Sequence, residues 1–249
     1  MTVGFSTVTP VRLLDPAGAS NDNLGTGKAA VSGDGQVIAA GAPYVDNMQS
    51  SSGAVVVWQR PPSGDFTTNV TTQKLIDPSG EASDYLGYGG VTLSNDGLVL
   101  AAASYQDDEQ AFKAGSVLVW QRSSLSVNFS SPVKLVDPEG SSSENLGYHG
   151  LCLSANGLVL AVPVYKDDVN GASSGSVVVW VRPSTTTSFS AVTPMKLVDP
   201  NGKHSEQMGY GGVGLSADGH IIAVASPFYD GGATDTGKVI VAPLQEGTL

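Results

Sequence analysis

The sequence is poor in cysteine, histidine and basic residues, and each shortage excludes a class of protein. A single cysteine, Cys152, rules out an intrachain disulfide framework. Nucleic acid is excluded as a partner because 23 acidic residues outnumber 12 basic ones, whereas such binding needs a basic surface. The three histidines fall at unrelated positions, so no histidine-rich metal site is predicted.

Long apolar runs and helical patterns are also missing. No apolar run approaches the roughly 18 residues that a spanning helix needs, so no membrane insertion is predicted. No stretch sustains a 3.6-residue period, which predicts almost no helix. The N-terminal sequence MTVGFSTV does not have the pattern of a signal peptide. No glycine-rich loop joins a strand to a helix, so no nucleotide site is indicated.

What the sequence does contain is a unit of about 60 residues, present four times. The second copy contains LGYGGVTLSNDGLVLAAA, the third LGYHGLCLSANGLVLAVP and the fourth MGYGGVGLSADGHIIAVA. Corresponding aspartates are spaced by 62, 60 and 62 residues, at Asp15, Asp77, Asp137 and Asp199. Insertions between copies are therefore small, and residues 1–249 are predicted to form one domain.

Each unit is predicted to form four antiparallel strands. In the second unit these are Gly90 to Ser94, Leu98 to Ala103, Gly115 to Arg122 and Val133 to Val136, bounded by Gly, Asn, Asp and Ser. Asp96-Gly97 is typical of a tight hairpin turn. Four short strands repeated in this way predict an all-β protein, a four-bladed β-propeller. Its units are about 16–77, 78–137, 138–199 and 200–249.

The two ends of the chain predict how the ring closes. The last unit stops after its third strand, while residues 6–15 resemble Ala191 to Asp199, the fourth strand of the third unit. We therefore predict that the N-terminal strand 6–15 completes the last blade of a monomer. This closure would leave no open sheet edge. An eight-bladed ring built from two chains is the alternative.

The repeated core resembles the FG-GAP repeat family. The resemblance lies in Leu-Gly-Tyr-Gly-Gly-Val-x-Leu-Ser-x-Asp-Gly, followed by an aspartate-bearing loop and Gly-Ser-Val-x-Val-Trp, and covers nearly the whole chain. Leu or Met replaces the family's Phe, the calcium loop of integrin repeats is absent, and family propellers usually have seven blades. The resemblance implies a propeller with a binding role in an extracellular or cell-surface setting, but it names no ligand.

Acidic residues recur at three positions of the unit, all predicted to lie on one face. One of these sets could hold a cation such as Ca2+ near the axis, because hard cations take six to eight oxygen ligands. Its members are Asp22, Asp84, Glu144 and Glu206. The alternative is that all the repeated acids brace turns. The basic residues that begin strand four and end strand three, including Lys134 and Arg122, are predicted to lie on the opposite face.

Aromatic residues converge on the acidic face. Tyrosines follow the Leu-Gly or Met-Gly pair in three units, and further aromatics lie in the loops between strands two and three. An aromatic ring with a polar tip suits sugars or peptides. The predicted ligand-binding residues are Tyr88, Tyr148, Tyr210, Tyr105, Tyr165 and Phe228. Packing between blades is the alternative role.

Three functions follow from these patterns. The first is a non-catalytic binding or adhesion module that presents the acidic, tyrosine-bearing face to a glycan, a peptide or a cation. The second is a glycan-acting hydrolase that uses two carboxylates of that face. The third is a purely structural repeat domain of a larger surface protein. No catalytic constellation is recognisable, and we therefore favour a binding module over an enzyme.

Overall fold

The structure, a computed structural model, describes residues 9–244 of the 249 and contains four antiparallel sheets, here called blades 1 to 4. Blades 1 and 2 contain β1 (Ala30–Val31), β2 (Val37–Ala42), β3 (Ala54–Gln59), β4 (Thr71–Leu75), β5 (Val91–Leu93), β6 (Val99–Ser104), β7 (Ser116–Gln121) and β8 (Val133–Leu135). Blades 3 and 4 contain β9 (Cys152–Leu153), β10 (Val159–Val164), β11 (Ser176–Val181), β12 (Met195–Leu197), β13 (Val213–Leu215), β14 (Ile221–Ser226) and β15 (Lys238–Pro243). The helical content of the described residues is one 3-10 turn, Phe189–Ala191.

The predicted all-β class is confirmed, and the strands of blade 2 lie close to their predicted positions. Each first hairpin is closed by the Ser-x-Asp-Gly or related turn of its repeat. In blade 2, Ser94 Oγ donates to Asp96 Oδ1 at 2.5 Å and accepts from the Val99 amide at 2.9 Å. Gly97 adopts φ 68°, which glycine reaches without a Cβ clash. These contacts explain why the turn sequence recurs with so little change.

The blades pack on one another in chain order, as in a propeller, through three apolar interfaces. Each blade has a front face toward the following blade and a back face toward the preceding one. Val99, Val117 and Val119 on the front of blade 2 meet Leu160 and Trp180 on the back of blade 3. The same positions form the interface of blades 1 and 2, and largely that of blades 3 and 4. Both faces of the inner blades are therefore buried.

The glycine of the Leu-Gly pair is required where two blades approach most closely. Gly87 has φ +87°, and a Cβ there would lie 2.8 Å from the Cα of Gly41 in blade 1. A Cβ on Gly41 would lie 2.1 Å from the Gly87 carbonyl oxygen. Both positions therefore need glycine, because the two backbones touch directly.

The predicted closure by residues 6–15 is not what the described residues show. Blade 4 has three strands, and residues 9–15 form no strand. Residues 6–8 lie outside the described part of the chain. Val239 and Val241 on the front of blade 4 are each 64% exposed, whereas the equivalent Val177 and Val179 are 0% and 1% exposed. The front of blade 4 is thus uncovered. Between residues 9 and 244, no helix has the length and apolarity to cross a bilayer.

Candidate functional site

Nine rings from all four blades form a continuous array on the face that carries the loops between strands two and three. Each ring centroid lies between 3.9 and 6.5 Å from that of a neighbour in the array. We call this set the aromatic array, and it consists of Tyr44, Tyr85, Tyr88, Tyr105, Tyr148, His149, Tyr165, Tyr210 and Phe228. The structure therefore brings together all six predicted ligand-binding residues.

The array has a buried layer and an outer layer. Tyr88 and Tyr148 stack at 5.4 Å, and Tyr105 packs beneath them at 5.0 and 4.7 Å. Tyr105 is 8% exposed and Tyr165 is 9% exposed, whereas Tyr210 is 37% exposed. Burial raises the pKa of Tyr105 to about 12, so its phenol stays neutral. Tyr105 and Tyr165 thus support the outer rings, and Tyr88, Tyr148 and Tyr210 face solvent.

Three members of the array are absent from the predicted set. Tyr85 has only non-aromatic equivalents in the other copies, so periodicity gives no signal for it, whereas Tyr44 is the equivalent of Phe228 and could have been found from that position. His149 stands where the other copies have glycine, and its ring lies 3.9 Å from that of Tyr210 and 4.7 Å from that of Tyr148. Burial lowers the pKa of His149, which favours the neutral imidazole. His149 therefore links the tyrosines of blades 3 and 4 as an uncharged ring.

Beside the array, blades 2 and 3 each contain three buried carboxylates around one lysine. In blade 2 the Lys134 Nζ lies 2.8 Å from Asp77 Oδ2 and 2.7 Å from Asp107 Oδ2, and Asp84 completes the group. In blade 3 the Lys196 Nζ lies 2.8 Å from both Asp137 Oδ2 and Asp167 Oδ2, with Glu144 as the third carboxylate. We call these the carboxylate clusters; in each, an ammonium group supplies the cation.

The position of these lysines corrects one prediction. Lys134 and Lys196 were placed on the face opposite the acids because they begin strand four. The side chain instead runs toward the end of the short strand, and its ammonium joins the acidic loops. Arg122 does lie at the other end of the blade, where its Nε donates to the Gly97 carbonyl at 3.1 Å. The predicted separation of charge is therefore wrong for the lysines.

Blade 1 uses the equivalent lysine, and blade 4 supplies a cation to the same place from a different strand. In blade 1, Lys74 Nζ lies 2.6 Å from Asp15 Oδ2. In blade 4, Lys238 of strand three takes this role, with its Nζ 2.6 Å from Glu206 Oε2 and 4.0 Å from the centre of the Tyr229 ring. Each blade thus holds one of its own ammonium groups against its acidic loops.

The predicted cation ring is not assembled. Asp22, Asp84, Glu144 and Glu206 each remain in their own blade, and the first three accept a backbone amide from three residues earlier. The described residues contain two groups of three carboxylates with ligand atoms within 4.8 Å of one another, and each includes only one of these four residues. Asp22, Asp84 and Glu144 therefore each accept a hydrogen bond from their own loop, and a cation site at these residues stays a prediction.

Two of these acids hold protons more tightly than usual. Burial raises the pKa of Asp84 to about 6 and that of Glu144 to about 7. Their side chains lie against other carboxylates and take their main hydrogen bonds from the Glu81 and Ser141 amides, at 2.7 and 2.9 Å. The clusters therefore carry a titration near neutral pH.

We expect this titration to appear in the free energy of unfolding. Between the ordinary pKa values of 3.8 and 4.5 and the native values of about 6 and 7, the native state binds more protons than the unfolded state. Stability therefore falls as pH rises through this window, on the order of 3 kcal/mol per group. Urea unfolding at several pH values should show that Asp84→Asn combined with Glu144→Gln flattens this slope.

The difference in pH slope between the double variant and the parent protein removes the contributions of the other titrating groups. His149, whose pKa is lowered, acts in the opposite direction, because its protonation destabilises the native state as pH falls. The control is Asp46→Asn, which changes an exposed carboxylate outside the clusters. Equal pH slopes in the parent and the double variant would contradict the prediction.

Comparisons with known proteins give no family for this chain. No family profile matches the sequence, and no curated protein matches it. Among solved structures, the chain is similar to an acylaminoacyl peptidase from Pyrococcus horikoshii, with 12% identity and a TM-score of 0.44, over 91% of this chain and 32% of that one. It is also similar to the tricorn protease, with 11% identity and a TM-score of 0.40, over 87% of this chain and 21% of that one. The chain spans about a third or less of these structures.

Proposed function

We propose that this protein is a non-catalytic binding module of the propeller type, whose ligand lies on the aromatic array. The observation that carries the proposal is the convergence of rings from all four blades on one face. Packing between two neighbouring blades would need only local pairs of rings. A continuous array with an exposed outer layer instead offers an extended stacking surface. The surface or extracellular setting implied by the FG-GAP resemblance belongs to this proposal.

A glycan is the ligand class that the face suits best. The outer tyrosines offer flat apolar rings with a hydroxyl at the tip, which matches the apolar face and polar rim of a pyranose. One exposed aspartate per blade lies in the loop between strands two and three, namely Asp46, Asp108, Asp168 and Asp230. In each, Oδ1 accepts a backbone amide five residues later, which leaves Oδ2 to accept sugar hydroxyls. The net charge of −11 disfavours anionic ligands.

The hydrolase alternative depends on carboxylates with raised pKa values, and those of the clusters are in the wrong place. Asp84 is 3% exposed and Glu144 is 6% exposed, so neither reaches the surface where a substrate would lie. The thiol of Cys152 has a pKa raised by burial, which disfavours a nucleophilic thiolate. These positions favour binding over catalysis. A calcium ion is not needed in this proposal, because a lysine ammonium already lies in each cluster.

Titration with defined oligosaccharides tests the proposal. Cellohexaose and chitohexaose are added to the protein and followed by calorimetry and by the NMR signals of the tyrosine rings. We expect saturable binding, and an affinity lower by roughly 5-fold in Tyr210→Ala, since one lost stacking contact is worth roughly 1 kcal/mol. Tyr210 is suitable because it is the most exposed tyrosine of the array.

The matched control is Phe112→Ala, which removes an exposed ring that is outside the array. Its affinity should equal that of the parent. Binding of proline-rich peptides in place of the sugars, with the same loss in Tyr210→Ala, would keep the site and replace the ligand class. Absence of binding to both probes, or equal losses in the two variants, would overturn the proposal.

A further inference from the structure

Blade 4 has an unpaired strand edge and an uncovered front face in the described residues. Its sheet ends at β15 after three strands in the described residues, so the outer edge of β15 has no fourth strand. Its front face presents Ile221, Val239 and Val241, which are the exposed counterparts of buried valines in blade 3. An unpaired strand edge beside an apolar sheet face is a site for another strand and another blade.

Residues near the start of the chain match the missing fourth strand. Residues 9–15 belong to none of the strands of the described chain, and Val11 and Leu14 are exposed. Leu13 packs on blade 1 beside Trp58, and the Trp58 Nε1 donates to the Leu14 carbonyl at 2.8 Å. By the repeat spacing, Leu13 corresponds to Leu75, which lies in β4 and packs on the back of blade 2. Residues 9–15 therefore lie where the fourth strand of a preceding blade would lie.

Blade 1 also exposes part of its back face beside β1, although Val56 and Trp58 in the middle of that face are 0% and 4% exposed. Val31 is 62% exposed, whereas its counterparts Leu93 and Leu153 are 9% and 6% exposed. A Cβ on Gly25 would meet nothing within 4 Å, in contrast to the crowded Gly87 at the same place in blade 2. The part of the back face around β1 and Gly25 is thus open to a neighbour in the described structure, whereas its middle is already covered, with Leu13 and Phe66 packed against Trp58.

We propose that the occupant is blade 4 of a second copy of this chain. Its front face would pack on the exposed part of the back of blade 1, and its β15 edge would pair with residues 9–14 as a fourth strand. The interface would continue the three internal ones, with the same apolar positions and the same order of faces. The observations that carry this inference are independent of the aromatic array.

Because the contact is the same in each copy, two copies are sufficient to close a ring. The contact is head-to-tail, and such contacts generate a ring when the rotation closes. Two chains of four blades give eight, which is within the usual range of four to eight for propellers. Within one chain, blade 4 packs against blade 3, and its front face stays exposed. Closure onto its own residues 9–14, as a four-bladed monomer, is the competing outcome.

The repeat fixes the register of the proposed strand pair. In blade 2, Leu135 pairs with Val117 and Val133 pairs with Val119. By equivalence, Leu13 would lie opposite Val239 and Val11 opposite Val241. Turn contacts would continue as well: Gly33 N donates to Asn95 O and Asn95 N to Ala155 O across successive blades, both at 2.8 Å. The Ala217 amide of one copy would then face the Gly33 carbonyl of the other.

A cysteine pair tests the proposal directly. Val11→Cys and Val241→Cys are combined with Cys152→Ser in the full chain, which is then oxidised and analysed by mass spectrometry and non-reducing electrophoresis. We expect a disulfide-linked species of twice 25.4 kDa in high yield, and sedimentation of the unmodified protein as a species of the same mass. The control pair, Phe112→Cys with Val241→Cys, should give little cross-linking, since Phe112 lies in the loop after β6, away from the sheet edge.

The alternatives give different products. An intramolecular disulfide at 25.4 kDa would support the four-bladed monomer and overturn the proposal, as would a monomeric mass with no cross-link. A second variant, Val239→Glu with Val241→Glu, places charges on the exposed face without disturbing the interfaces of blades 1 to 3. It should halve the solution mass while the circular dichroism of the sheets is kept. An unchanged dimer in this variant would also contradict the proposed interface.

Discussion

Replacing Lys134 with methionine is expected to destabilise the protein by about 3–5 kcal/mol, since it leaves two buried carboxylates without their cation. Lys134 Nζ lies 2.8 Å from Asp77 Oδ2 and 2.7 Å from Asp107 Oδ2, and both acids are at most 3% exposed. Without the ammonium group, the two carboxylates would face each other and Asp84 in a buried site. Thermal unfolding should show a midpoint lower by on the order of 10 °C.

Two further variants show whether the buried charge is the cause. Lys203→Met removes an exposed lysine from the linker before blade 4 and should leave the midpoint almost unchanged. Asp107→Asn added to Lys134→Met removes one unpaired charge and should restore part of the loss. If Lys134→Met alone does not fold, recovery of folding in the double variant is the readout. A midpoint equal to that of Lys203→Met, or absence of recovery, would contradict this account of the cluster.

The second large effect is expected at the contact between two blade backbones. Gly87→Ala should cost about 3–5 kcal/mol, of which roughly 1–2 kcal/mol comes from the positive φ and the rest from overpacking. The new Cβ would lie 2.8 Å from Gly41 Cα and 3.1 Å from the Ala54 carbonyl oxygen, and neither backbone atom can turn away. Blades 1 and 2 would have to separate. Urea unfolding measures the loss.

Gly25→Ala is a closely matched control. Gly25 has φ +88° and follows Leu24 as Gly87 follows Leu86, but its Cβ would meet no atom within 4 Å. The free energy of unfolding of this variant should fall by only roughly 1–2 kcal/mol, the cost of the positive φ. The measurement is made at low protein concentration, where a second copy would not cover blade 1. Equal losses in the two variants would show that the contact between blades contributes nothing.

The sequence predicts the strands well because strand bounds depend on local features. Apolar runs such as Val99-Leu100-Ala101 are bounded by Gly, Asn, Asp or Ser. The hairpin turn depends on Ser94 and Asp96, which are only two residues apart in the sequence. Because four copies carry the same pattern, the bounds of each strand are predicted from four sequences. The aromatic face was predictable for the same reason, as Tyr88, Tyr148 and Tyr210 are equivalent residues.

The parts that could not be predicted depend on side-chain reach and on residues that occur once. Lys134 was assigned to one face by the position of its Cα, although its side chain carries the charge to the other end of the short strand. Asp84 was placed at the axis because equivalent residues were expected to meet there, but a nearby amide holds it in its own loop. Lys238 and His149 have no equivalents in the repeat, so only coordinates reveal their contacts.

The two kinds of polar contact in this protein differ in how they survive gene duplication. Each carboxylate cluster, such as that of Asp77, Asp107 and Lys134, takes one aspartate from the end of the preceding repeat, but each of the first three repeats ends on that aspartate, so a newly copied unit still completes its cluster. The arginine contacts also span two copies, but they depend on residues that are not present in every repeat: Gln59 accepts from Arg122 and Gln121 from Arg182, both at 2.8 Å.

At the junction of blades 3 and 4 the equivalents of both partners are apolar. Val181 stands at the glutamine position and Leu244 at the arginine position, and both pack in the same apolar cluster. A unit inserted or moved within the array would keep its cluster but lose this pairing with its neighbour. The glutamine–arginine pairs therefore depend on the order of the blades, whereas the carboxylate clusters do not.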